Sequence, residues 1–233
     1  MKAGLRYDLV IFDLDGTLVD SLPDIARALN AALVHARVPP LPLEVVRTLV
    51  GDGVLSLATR ALAAAGEAAR GLDPRTVAED VVRRYTETPC VESRLYPAVD
   101  TTLSALRADG VHLAVLTNKV GPAARGLLAA LKIDACFEAV IGEGDGHPRK
   151  PAPAAVLALM SHFQAPAART LVVGDGLPDL AVARAAQCAS AAALWGYTDE
   201  ARLRSQQPDF ALGAFDELPG LVGAGGGESP RRQ

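Results

Sequence analysis

The chain has 233 residues, half of them apolar and only 4% aromatic, with a formal charge of −4. No run of Lys or Arg offers a nucleic-acid surface, and no stretch approaches the ~20 apolar residues of a membrane span. Cys90, Cys136 and Cys188 are odd in number and lack a CxxC pair, so they read as reduced thiols of a cytoplasmic protein.

Met1-Lys-Ala-Gly4 runs straight into the first predicted strand, Tyr7 to Phe12, without a signal peptide. That strand is apolar throughout, as expected of one buried on both faces. It ends in Asp13-Leu-Asp15-Gly-Thr17. Two carboxylates in one short turn repel each other and lose hydration, a cost that a cation or a proton relieves. Taken alone, the same residues also suit a solvated turn.

Asp20-Ser21 followed by Pro23 marks a helix start. From there to about Glu92 the pattern is helical: Ile25 to Leu33, Leu43 to Leu49, Val54 to Ala65 and Pro74 to Tyr85 carry apolar residues three and four apart. Breaks fall at Pro39-Pro40, Gly51-Asp52-Gly53, Gly66 and Gly71. From Tyr96 helices and strands alternate. Helices are expected at Asp100 to Asp109, Pro122 to Leu131, Pro153 to Phe163 and Leu177 to Ala186. Strands are expected at Val111 to Leu116, Ala139 to Ile141, Thr170 to Val173 and Ala189 to Leu194, with a last edge strand from Phe210. Alternation of this kind implies right-handed crossovers and a parallel sheet. The expected fold is therefore α/β, a doubly wound, Rossmann-like parallel sheet with an inserted all-α domain. Residues 1–19 and 94–222 would form the core, 20–93 the helical insertion, and 223–233 a disordered tail.

Parallel strands bring their C-terminal ends to one edge, where open α/β sheets bind ligands. Those ends carry Asp13 and Asp15, then Thr117-Asn118-Lys119, then the loop Gly142 to His147 leading to Arg149-Lys150-Pro151, then Gly174-Asp175 to Asp179. Singly, Thr117 and Asn118 could cap a helix, Lys150 could be a loop residue, and Asp175 and Asp179 could serve a turn and a helix start. As an ordered set they make chemical sense. A phosphomonoester is a dianion, so a carboxylate nucleophile needs cationic help to reach it. Mg²⁺ held by Asp13 and Asp175, with Lys150 beside it, would supply that help. Thr117, Asn118 and backbone N–H groups of the Asp13 loop would hydrogen-bond phosphoryl oxygens. Asp15 would be left for proton transfer.

Asp13-Leu-Asp-Gly-Thr17, Thr117-Asn118, Lys150-Pro151 and Gly174-Asp175 to Asp179 stand in the order of the haloacid dehalogenase-like hydrolases, which the chain resembles from Tyr7 to Leu221. The resemblance implies an aspartyl-phosphate on Asp13, with Asp15 as general acid and base. It implies Mg²⁺ on Asp13, the backbone carbonyl of Asp15 and Asp175, with Asp179 supporting the metal or Lys150. The insertion would be a mobile cap that closes over the substrate. Within the superfamily the chain is most similar to phosphoglycolate phosphatases, through Asp20 to Ile25, Val50 to Gly53 with Leu57 and Arg60, Arg149 to Pro151, and Trp195 to Tyr197. Cap residues Gly51 to Arg60 would then contribute specificity, Gly51 and Arg60 touching the substrate. Gly176 stands where relatives often have Ser or Thr, and Gln187 where a Gly usually ends the next helix.

The expected activity is Mg²⁺-dependent hydrolysis of a small phosphorylated metabolite, 2-phosphoglycolate first. The alternatives are a sugar-phosphate phosphatase and a β-phosphoglucomutase-like phosphomutase. A dehalogenase would typically lack the second Asp, and a non-catalytic binding protein would not need Asp13, Asp15, Lys150 and Asp175 together. His147 reads as an exposed loop residue, and His35, His112 and His162 carry no assignment. The sequence leaves monomer and homodimer open, and it points to neither nucleic acid nor membrane as a partner.

Overall fold

The apolar run after Tyr7 becomes β1 (Leu9–Phe12), buried along its whole length, in a computed structural model that describes residues 6–223. A short β2 (Val19–Asp20) follows, then α1 (Leu22–His35), α2 (Leu43–Leu49), α3 (Val54–Ala65), α4 (Pro74–Glu87) and β3 (Arg94–Leu95). The chain then alternates through α5 (Val99–Ala108), β4 (His112–Val120), α6 (Gly121–Ala130), β5 (Ala139–Glu143), α7 (Ala154–His162), β6 (Thr170–Gly174), α8 (Leu177–Ala185) and β7 (Ala189–Ala193). It closes with α9 (Glu200–Ser205), β8 (Phe210–Leu212) and α10 (Leu218–Val222).

Six strands form one sheet in the order β5-β4-β1-β6-β7-β8, and every pairing in it is parallel. β1 lies between β4 and β6, with Leu9 opposite His112 and Thr170. The chain winds outward to β5 and then returns across β1 to β6, so the strand order reverses beside β1. That crevice is where doubly wound sheets hold ligands.

Alternation along the strands feeds both faces. Val10, Phe12, Val115 and Val173 pack with Leu103 of α5, Leu127 of α6 and Leu218 of α10. Leu9, Ile11, Leu116 and Val172 pack with Val156 of α7 and Val182 of α8. The four helices of the insertion bury a separate cluster, including Leu29, Leu33, Val46, Leu57, Leu62 and Val81. Where the chain leaves and re-enters the sheet, β2 and β3 pair as an antiparallel ribbon.

Helices fall within a few residues of their expected limits. The ribbon, α9 and α10 are additions, since pieces of two, six and five residues are too short to show a period. Gln187, which stands where a Gly was expected, does adopt a left-handed φ of 58°. The expected disordered tail lies outside the described residues from position 224 onward. The three cysteines are free thiols. No helix among the described residues is long and apolar enough to cross a membrane.

Candidate active site

The sheet brings Asp13 from the end of β1 together with Asp175 and Asp179 from the end of β6, and one carboxylate oxygen of each lies within 4.8 Å of the others. Lys150, buried in the loop after β5, joins them: its Nζ lies 2.9 Å from Asp13 Oδ1 and 2.5 Å from Asp179 Oδ1. Asp13 Oδ1 also accepts from the Leu14 N–H at 2.7 Å. Asp179 accepts from the Gly176 N–H at 2.9 Å, so it both starts α8 and faces the cluster.

The electrostatics follow from crowding. Burial first, then the Asp13 and Asp179 carboxylates, push Asp175 up to about 8. Asp179 is pushed up to about 6 by burial and Asp13, with Lys150 pulling the other way. Burial works against the charge on Lys150, but Asp13 and Asp179 hold its ammonium well above the ordinary value. A buried carboxylate held so high is starved of positive charge. Three oxygen donors, one of them in that condition, fit a hard divalent cation such as Mg²⁺.

Short side chains fix this geometry. The Thr17 hydroxyl donates to Asp175 Oδ1 at 2.9 Å and accepts from the Asp175 N–H at 3.1 Å. The Tyr197 N–H donates to Asp175 Oδ2 at 2.8 Å. Gly16 has a φ of 86°, and a Cβ there would collide with the Asp175 carboxylate. Only Gly meets both demands.

Asp15 points elsewhere. Its carboxylate accepts from Ser21 Oγ at 2.5 Å and from Lys119 Nζ at 3.1 Å on each oxygen. Lys119 lies 3.7 Å from the centre of the Tyr85 ring, which α4 contributes. Burial lowers Lys119, but Asp15 and Tyr85 outweigh it and hold the ammonium above its ordinary value. Burial raises the Tyr85 phenol, so it stays protonated.

Thr117 and Asn118 lie at the end of β4, both buried. The Thr117 hydroxyl accepts from the Lys119 N–H at 3.1 Å. Asn118, expected to serve a phosphoryl group, spends its side-chain amide on the protein. Its oxygen accepts from the Lys150 N–H at 2.9 Å, and its nitrogen donates to the carbonyls of Lys150 and Gly51 at 3.3 and 3.2 Å. In this arrangement it braces Lys150.

The insertion sits over this edge and encloses a cavity of about 630 Å³ lined by Asp13, Asp15, Gly51, Arg60, Lys119 and Tyr85, among others. Its contacts with the core include Asn118 to the Gly51 carbonyl, Arg149 to the Asp52 carbonyl at 2.9 Å, and Arg47 to the Gly196 carbonyl at 2.8 Å, and Ala123 of α6 packs into its apolar cluster. Arg60 lines the cavity but is ion-paired with Asp52 and about two-fifths exposed. Ser21, Lys119, Tyr85 and Tyr197 were given no part in the site from sequence. Lys119 carried a signal in its place directly after Thr117-Asn118 at a strand end, and Ser21 and Tyr197 lay in stretches that carry the family resemblance.

A family model described as haloacid dehalogenase-like hydrolase matches residues 7–187. A phosphoglycolate phosphatase of Haemophilus influenzae is 37% identical over 221 residues, which cover 93% of this chain and 99% of that protein. One of Yersinia pestis is 36% identical over 214 residues, covering 92% of each. Among solved structures, a predicted phosphoglycolate phosphatase from Haemophilus somnus superposes with a TM-score of 0.86 at 34% identity, covering 91% of this chain and 96% of that one.

Proposed function

Since the chain belongs to the haloacid dehalogenase-like hydrolase family, we propose that this phosphatase hydrolyses 2-phosphoglycolate with Mg²⁺, through an aspartyl-phosphate on Asp13. The observation that carries the reading is the Asp13, Asp175 and Asp179 cluster with Lys150 inserted between its members.

Asp13, Asp175 and the backbone carbonyl of Asp15 would hold Mg²⁺, with Asp179 behind them orienting Lys150. Bound there, the cation supplies charge neutralisation for an anionic ester beside anionic side chains. The Asp13 carboxylate is oriented by Leu14 N–H and Lys150, both on Oδ1, while Oδ2 has no hydrogen-bond partner among the described residues. Asp13 then forms an oxygen–phosphorus bond as the ester oxygen–phosphorus bond breaks. Asp15 gives its proton to the leaving oxygen. In the second half a water attacks phosphorus, Asp15 takes that water's proton, and inorganic phosphate leaves Asp13 free. Thr117, with backbone N–H groups of the Asp13 loop, would steady the phosphoryl oxygens. Lys150 offsets their charge.

Residues 20–93 would move as a cap, with the β2–β3 ribbon as its stalk. Seated as described, the cap narrows the way into the cavity, and Gly51 and Arg60 lie at its wall; further closure would exclude water. The names of the relatives favour 2-phosphoglycolate over sugar phosphates.

Phosphate release from a panel of small phosphoesters, with Mg²⁺ and with chelator, tests the proposal. Turnover should need the cation, should favour 2-phosphoglycolate, and should fall by at least about 10³-fold in Asp13→Asn while the circular dichroism stays unchanged. Equal rates on sugar phosphates would remove the substrate assignment. Wild-type activity in the variant would remove the nucleophile.

A further inference from the structure

Four cationic side chains line the cavity: Arg47, Arg60, Lys119 and Arg202. The three arginines are exposed residues. Arg47 donates to the Gly196 carbonyl, and Arg60 is ion-paired with Asp52. Lys119 differs, with only 9% of its side chain exposed. Its charge meets one carboxylate, Asp15, and one ring face, that of Tyr85. The Tyr85 hydroxyl is buried close to Lys119 and Ser93, but no hydrogen bond of ordinary geometry satisfies it among the described residues. A buried hydroxyl in that condition costs free energy until an acceptor enters.

The structure assigns Lys119 and Tyr85 a joint task, and we infer that they read a carboxylate on the carbon that bears the substrate's ester oxygen. The inference rests on the reading of Asp15 as the group that transfers a proton to that oxygen. Lys119 bonds Asp15 directly, so it stands one side chain from the leaving oxygen and reaches only what is attached next to it. An ammonium and a phenol are both donors, which suits an acceptor-only group. Sugar hydroxyls would ask for acceptors as well. When Asp15 carries the proton it is to transfer, the Lys119 ammonium is left to match one negative charge, whereas a second phosphoryl group would bring two.

The assignment divides recognition between two units of the protein. Lys119 comes from the end of β4 and Tyr85 from α4 of the insertion. The carboxylate would therefore bridge core and cap, and binding it would favour the seated cap.

The test is the ratio of kcat/KM for 2-phosphoglycolate to that for ethyl phosphate, which replaces the carboxylate by a methyl group. The wild-type ratio should be well above one. Lys119→Met should lower the ratio roughly 10–100-fold, as expected for one charged hydrogen-bonding contact, and Lys119→Arg should recover part of it. Tyr85→Phe, which removes only the hydroxyl, should lower it roughly tenfold and serves if Lys119→Met fails to fold. An unchanged ratio in both variants, with the same loss on both esters, would overturn the inference and leave Lys119 as a positioning residue for Asp15. A wild-type enzyme that cleaves both esters equally would defeat carboxylate recognition while the phosphatase reading survives. Cleavage of neither ester with Mg²⁺ would defeat that reading and this inference with it.

Discussion

Asp175 is costly to charge, because burial and two neighbouring carboxylates outweigh the hydrogen bonds from Tyr197 and Thr17. It is buried beside Asp13 and Asp179 and is pushed up to about 8. Proton and cation therefore compete for the same oxygens. Below that value a proton occupies the site, and a divalent cation must displace it. Mg²⁺ binding at pH 7 should release about one proton and should tighten from pH 6 to pH 8. Calorimetry in buffers of differing ionisation enthalpy measures this, and binding without proton release would contradict the account. The acidic members of the cluster were legible in the sequence, since Asp13, Asp175 and Asp179 each stand just past a strand, and Lys150 follows another. Asn118 was legible as a site residue, but its bracing of Lys150 was not. That bond spans 32 positions and depends on how two loops meet. Tyr85 was out of reach altogether, because its helical spacing made it look like any core residue of α4.

At the scale of elements, the junction between sheet and insertion is held by a buried carboxylate. Asp24, in the first turn of α1, accepts from the N–H groups of Val91, Glu92 and Ser93 at 2.9, 3.0 and 2.8 Å, and from Ser93 Oγ at 2.7 Å. Burial would raise Asp24, but Ser93, Val91 and Arg27 outweigh it and hold it at about 2 against an ordinary 3.8. A depressed carboxylate adds stability above its ordinary value and loses it as pH falls through the folded value. Asp24 should thus contribute about 2 kcal/mol at neutral pH that vanishes between roughly pH 4 and pH 2. Asp24→Asn should lower the urea-unfolding free energy by about that amount and flatten its pH dependence in that window. A variant with wild-type slope would show that the clasp does not act through its charge. The helices themselves were legible because apolar residues three and four apart mark a face. The β2–β3 ribbon was not, because two residues of strand leave no alternation to read.

For the whole molecule, the sheet order could be expected only in part. Alternating helices and strands imply parallel pairing, yet they do not say that β1 sits between β4 and β6. That placement is what gathers four strand ends at one edge. The seating of the helical insertion on this edge was not legible either, since it rests partly on side chains reaching backbone carbonyls across the crevice. Arg149 to Asp52 is one such contact. Arg149→Ala should loosen the seated state by about 1 kcal/mol, raising KM about fivefold with little change in unfolding temperature. A fall in kcat alone, at unchanged KM, would place Arg149 in the chemistry instead. The account as a whole stands on covalent transfer to one carboxylate. Rapid acid quench of enzyme turning over 2-phosphoglycolate with Mg²⁺, followed by peptide mass analysis, should find one added phosphoryl group on the peptide containing Asp13 and none in Asp13→Asn. A quenched, active enzyme with the phosphoryl group on another residue would contradict it.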